Sequence, residues 1–370
     1  MATQVIDIDA LLKPISNELP AGSNPRSDTA PESLYYRAKD ARNAARSIER
    51  AAVEIGSPSP KEWEIVLETA SEILSEHAKD LEVASWLIEA LVRRHGFVGL
   101  RDGLVVLEGL VSGFWEQCFP ELDEDGVEAK VSSVANLSGA GSIGTLLQPI
   151  RLIPLTDGSS ESFSLWSYEQ ALELEKIADP DRRQMRIEAG AVTMEQFSQS
   201  VAETPPTKLR ETVDVVDECV SALKKMSEAF DAVAGADSPS ISALRELLGT
   251  TSSSIRHFAA DKLEVAVVAT QQEELAPSEI PMEGNGSTMQ AVRSSGYSSR
   301  EDALAELTRI ARYFRKVEPH SPISYTLEEA VRRARMTLPE LLAELSEDPA
   351  HIQRILMAAG VKNTGPSASE

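Results

Sequence analysis

The stretch Pro60–Gly96, PKEWEIVLETASEILSEHAKDLEVASWLIEALVRRHG, decides the fold class. Trp63, Val66, Leu67, Ala70 and Leu74 recur at three- and four-residue spacing, and Leu81, Ala84, Leu87, Ile88 and Leu91 repeat the pattern. Such spacing lines one face of an α-helix and lacks the alternation of a half-buried strand. It predicts a helix from 60 to about 77, opened by a capping box at Ser59-Pro60-Lys61-Glu62, and a second over 80–95 stopped by Gly96.

The same period extends outward in both directions. Residues 28–54 carry a stripe of Leu34, Ala38, Ala41, Ala45, Ile48 and Ala52. Helices are expected over about 97–117 and 124–137, then 166–177, 181–189, 193–203, 205–234, 240–248 and 251–270. One segment departs from this. In PIRLIPLTDGSSESFSLW (149–166), Asp157-Gly158 marks a turn between apolar residues, and a short β-hairpin is expected near 150–165. The fold class is all-α.

Composition divides the chain further. Residues 271–298 lose all periodicity and gather Pro, Gly and Ser, which reads as a flexible linker. The expected domains are a helical N-terminal domain (1–165), a middle helical region (166–270), the linker (271–298) and a small helical C-terminal domain (299–370). Ser299 with Asp302, Thr337-Leu338-Pro339-Glu340 and Asp348-Pro349 are read as helix starts in the last of these. Residues 297–362 hold ten basic and ten acidic side chains, whereas residues 1–296 hold 26 basic and 48 acidic, so a neutral module follows an acidic body.

Charge and cysteine content exclude several functions. A net charge of -23 repels phosphate backbones and anionic membrane surfaces, so neither nucleic acid nor a lipid surface is an expected partner. Cys118 and Cys219 are too few and too far apart for a disulfide framework or a zinc site. No signal peptide or membrane-spanning run is read, and a soluble, cytoplasmic protein is expected.

Gly139-Ala140-Gly141-Ser142-Ile143-Gly144 matches the dinucleotide fingerprint as a string, but no strand precedes it and Gln148-Pro149 cuts short any helix after it. The five histidines, 77, 95, 257, 320 and 351, never pair at helical spacing or sit beside a cysteine. No catalytic residue, metal site or cofactor is therefore expected. Arg42, Arg46 and Arg50 form a basic stripe, with Lys39 beside it. The stripe is either a clamp for an acidic partner or part of intradomain pairs with Asp40, Glu49 and the Lys79-Asp80 turn, the commoner arrangement. Trp63, Trp86 and Trp115 are read as one packed core.

An ordered series of residues resembles a known family. Asn24-Pro25-Arg26-x-Asp28, Tyr35, Lys39-Asp40-Ala41-Arg42, Ala45-Arg46, Glu49-Arg50, Trp63, Lys79-Asp80-Leu81-Glu82-Val83 and Trp86-Leu87 resemble the ImpA N-terminal domain. So do Gly96-Phe97-x-Gly99-Leu100-x-Asp102-Gly103 and Phe114-Trp115-x-x-x-Phe119-Pro120. That domain defines the TssA proteins of the bacterial type VI secretion system. Arg300-x-x-Ala303-x-x-x-Leu307 and Tyr313-Phe314-Arg315-x-x-Glu318-Pro319-His320-Ser321-Pro322-Ile323-Ser324-Tyr325 resemble the terminal region of the shorter members.

The resemblance implies a non-enzymatic assembly protein of the short, baseplate-associated type. It implies a homo-oligomeric ring formed through the C-terminal domain, with contacts to baseplate, tube and sheath proteins. Phe314, Glu318, Pro319, His320, Ser321, Pro322, Leu341, Leu342 and Ile355 are the oligomerisation candidates. The competing reading is a monomeric or dimeric helical adaptor that recruits one cytoplasmic partner through its acidic N-terminal domain.

Overall fold

The computed structural model describes residues 3–52, 58–122, 126–139, 143–159, 161–264, 300–317, 322–337 and 344. They fall into two compact units, Met1–Ser278 and Glu279–Glu370.

The first unit is built around α4 (Leu81–Phe114), which joins the two helices expected on either side of Gly96. Asp80 caps its start, accepting from the Glu82 and Val83 amides at 2.8 and 3.0 Å. Gly96 adopts φ 58°, ψ -135°, a backbone that glycine reaches without a Cβ clash, and α4 kinks there instead of ending. Both halves are buried on most sides, from Leu81 and Trp86 to Leu107 and Leu110.

Around α4 lie α1 (Ile8–Leu12), α2 (Leu34–Ala51) and α3 (Glu62–Glu72, continued by a π-helical turn, Ile73–His77). Beyond it come α5 (Gly126–Ser138), α6 (Leu147–Arg151), α7 (Leu165–Glu175), α8 (Pro180–Glu188), α9 (Met194–Glu203), α10 (Pro206–Ala234) and α11 (Ser242–Phe258). Helices α1, α3, α5, α6 and α10 pack on α4, and α2 packs on α3. The α2 stripe is mostly alanine at Ala38, Ala41 and Ala45, all buried, so its backbone sits close to its neighbours.

Several expectations are corrected here. Ile48 is 48% exposed and Ala52 is exposed, so the buried stripe of α2 ends at Ala45. No capping box forms at Ser59: its hydroxyl is buried without a partner, and α3 begins at Glu62 after Lys61. The hairpin near 150–165 is absent. Ile150 lies in α6, and the pairing that remains is one isolated bridge, Pro154 with Ser164, beside a Leu155 N–H to Phe163 carbonyl bond of 2.7 Å. Pro154 has no N–H to give a ladder. The loop is tied instead to the end of α9, with the Asp157 amide donating to Thr204 Oγ1 at 2.8 Å.

The helices expected over 240–248 and 251–270 are one as far as Phe258, because Gly249 faces open space while Leu244, Leu248, Thr251 and Ile255 keep one buried face in register. The expected division at 165/166 falls inside a single apolar core that runs from Ile8 to Ala259.

The second unit contains α12 (Arg300–Val317) and α13 (Ile323–Ala334), which pack on each other. Leu304, Ala311 and Val331 are buried between them, while Tyr313, Ile323 and Tyr325 are exposed. The linker over 271–298, the helix starts at 299 and 348, and the candidates Glu318, Pro319, His320, Ser321, Leu341, Leu342 and Ile355 lie outside the described residues. Phe314 is half-buried and Pro322, which precedes α13, is exposed.

Candidate functional site

Several of the motif residues tie α2 and the turn before it to α4, and others join elements far apart in sequence. Asn24 caps the 3-10 turn Pro25–Ser27, accepting from the Arg26 amide at 3.0 Å, and Asp28 accepts from the Ala30 amide. The turn aims Arg26 at the start of α4. There its guanidinium pairs with Asp80 at 2.6 Å and with Glu82, which also accepts from the Tyr35 hydroxyl at 2.9 Å. Burial works against the Arg26 charge, but Asp80 and Glu82 outweigh it and hold the guanidinium above its ordinary value. Burial and then Glu82 likewise push the Tyr35 phenol up.

Two turns further along α4, Glu89 is 1% exposed. It accepts from Arg42 Nε and Nη2 at 3.1 and 2.8 Å and from the Thr145 hydroxyl at 2.9 Å. Glu49 takes a second fork from Arg93, at 2.7 and 3.0 Å, and the Trp63 indole N–H at 2.7 Å. Arg93 also lies over the Trp63 ring, 4.1 Å from its centre, and Arg42 lies 5.8 Å from the Trp86 ring. Trp63, Trp86 and Trp115 all line the apolar core.

Arg42 thus has an intradomain partner, as the commoner reading expects, but the partner is Glu89 and not Asp40 or Glu49. Arg46 is half-buried and Arg50 exposed, and neither forms an ion pair among the described residues. Burial lowers the Arg46 guanidinium, Glu89 offsets this in part, and Arg42, Arg50 and Arg93 push it down again.

Two buried ammonium groups tie backbone ends. Lys79 Nζ donates to the Leu11 carbonyl at 2.7 Å and the Leu74 carbonyl at 2.6 Å, capping α1 and the π-helical turn together. Burial alone brings it down to about 8. Lys130 reaches the Trp115 and Cys118 carbonyls at 2.7 and 2.8 Å. The Phe119–Pro120 peptide is cis, and Phe119 exchanges backbone bonds of 2.8 Å with Lys79 and Leu81. Gly99 and Leu100 lie just past the kink, where a side chain on Gly99 would meet the Leu91 carbonyl. On the α10 side, Arg101 holds Asp102 and Glu218, each at 2.7 Å.

Sequence reading missed Glu89, Lys130 and Glu218. Glu89 left a signal: a lone carboxylate on an otherwise apolar face of α4, four residues before Arg93.

Over most of its length the chain is similar to a known class of secretion component. Residues 12–139 match the family described as ImpA, N-terminal, type VI secretion system. Over 351 residues the chain is 26% identical to the type VI secretion system component TssA1 of Pseudomonas aeruginosa, covering 93% of this chain and 96% of that protein. It also resembles the solved N-terminal domain, including the conserved ImpA_N region, of the TssA component from Burkholderia cenocepacia. That match has a TM-score of 0.60 at 28% identity and covers 70% of this chain and 96% of that one. By these likenesses the chain resembles the TssA components of type VI secretion systems. Among the described residues, no helix is long and apolar enough to cross a membrane.

Proposed function

We propose that this chain is a non-enzymatic, cytoplasmic assembly component of the short, baseplate-associated type. In this reading copies form a ring through residues 299–370, and the ring contacts baseplate, tube and sheath proteins to start or coordinate sheath–tube polymerisation. The observation that carries it is the end-to-end likeness to TssA1, which runs well past residues 12–139. The second unit supports it physically. Leu304, Ala311 and Val331 make a small core, while Tyr313 and Tyr325, 61% and 59% exposed, offer apolar surface for a neighbouring copy to cover. The neutral charge of residues 297–362 removes the repulsion that the acidic body carries.

The test is the solution mass of the full chain by light scattering. A multiple of 40.1 kDa is expected, falling toward 40.1 kDa in Tyr313→Asp, whose exposed position leaves the helix pair intact. A wild-type mass of only one or two chains overturns the ring and favours the adaptor reading.

A further inference from the structure

We infer that the Arg46–Arg50 face of α2 is a docking site for an acidic protein segment, with Arg46 receiving an Asp or Glu carboxylate of the partner. It stands apart from the ring reading, because it concerns the first unit and needs no self-association.

Arg42 pairs with Glu89 and Arg93 with Glu49, while Arg46 lies within electrostatic reach of Glu89 and of the like charges Arg42, Arg50 and Arg93. Both carboxylates are committed. Glu89 holds the Arg42 fork and Thr145, and Glu49 holds the Arg93 fork and Trp63. Nothing in the described chain is left to pair with Arg46, one helical turn from Arg42 and one from Arg50. The result is a local surplus of positive charge on a body that holds 48 acidic and 26 basic side chains over residues 1–296.

Among the described residues, no ion pair turns that surplus into stability. An unpaired, half-buried guanidinium among like charges is a net cost to the folded state, and a cost kept at one position is characteristic of sites retained for function. Asn43, exposed three residues before Arg46 on the same side of α2, adds a polar group beside it.

The chemistry of the opening selects the occupant. A guanidinium presents a planar fork of parallel N–H donors that fits a carboxylate edge on. Glu89 acts on Arg46 as well, so a dianionic phosphate meets about twice the repulsion that a single carboxylate meets. Nucleic acid is disfavoured further by the overall charge of -23.

The test uses the full-length chain, a fluorescein-labelled hexaglutamate peptide as probe, and fluorescence anisotropy at low ionic strength. Saturable binding is expected, weakened about tenfold or more in Arg46→Gln through loss of a charge-assisted fork. Arg50→Gln loses less, and Arg46→Lys does not restore binding, because an ammonium has no fork. Arg182→Gln, an exposed arginine on α8, binds as wild type does. The thermal midpoint of Arg46→Gln stays at or above that of wild type, so lost binding is not lost folding. Absence of saturable binding by the wild-type chain overturns the proposal, as does unchanged binding by Arg46→Gln or an equal loss in Arg182→Gln. Inorganic phosphate displacing the probe better than acetate at matched ionic strength overturns the carboxylate assignment.

Discussion

Replacing Glu89 by Gln keeps the shape of the side chain and removes the charge that ties Arg42 of α2 to α4. The Glu89 side chain is 2% exposed and that of Arg42 is 17% exposed, so the pair is largely shielded from water. Removing one partner of a buried pair costs about 3–5 kcal/mol, because the other is left charged and poorly solvated. Arg42 regains some water, which brings the expectation to about 2–4 kcal/mol. The neutral amide also leaves Arg46 without the one carboxylate that offsets its burial. For a unit of this size roughly 2 °C of thermal midpoint accompanies each kcal/mol, so the variant should melt about 4–8 °C lower.

Guanidinium unfolding followed by tryptophan fluorescence reports the change, since Trp63, Trp86 and Trp115 lie in the core that the pair closes. In an Arg42→Met background the same substitution should cost less, with a coupling of about 1–3 kcal/mol. Added salt should leave the difference standing, because a shielded pair is screened little. A loss under about 1 kcal/mol, or an equal loss in the Arg42→Met background, would refute the reasoning.

Two further outcomes follow from the buried groups. Lys79→Met should destabilise the chain by about 2 kcal/mol near neutral pH, since it orphans the Leu11 and Leu74 carbonyls while relieving a desolvated ammonium. The folded Lys79 releases its proton near 8 and the unfolded one near its ordinary 10.5, so between those values the unfolded chain binds more protons. Wild type should therefore gain stability over the Met variant as pH rises through that window, in urea titrations at successive pH values; a falling difference would contradict the burial. Burial pushes the Cys118 thiol up to about 11 and raises Cys219 as well, so neither should react with a disulfide reagent at pH 8 until the chain is unfolded. A full equivalent released promptly from native protein would show an open core.

Helix positions were legible because apolar period survives in the sequence: the Trp63–Leu74 and Leu81–Leu91 faces are buried as spaced. What failed was punctuation. Gly96 bends α4 instead of ending it, Gly249 passes unnoticed through α11, and Pro149 sits in a short helix where a strand was expected. A glycine read locally means only that the backbone is free, and tertiary packing decides how that freedom is used. The arginine stripe was legible as a pattern, yet Glu89 stands 47 residues from Arg42, and no local rule couples residues across that distance. Lysines buried at Lys79 and Lys130 are harder still, because composition and spacing treat every lysine as surface.

The contact between α4 and α10 has a consequence for the order in which the protein can be made. The apolar side of α4 emerges from the ribosome roughly 100 residues before α10, the helix that covers it. At bacterial elongation rates of about 5–20 residues per second, that surface waits some ~5–20 s for its partner. The segment 12–139 that matches the family is therefore only part of a folding unit, and a nascent chain carrying it alone displays an uncovered flank that chaperones can hold.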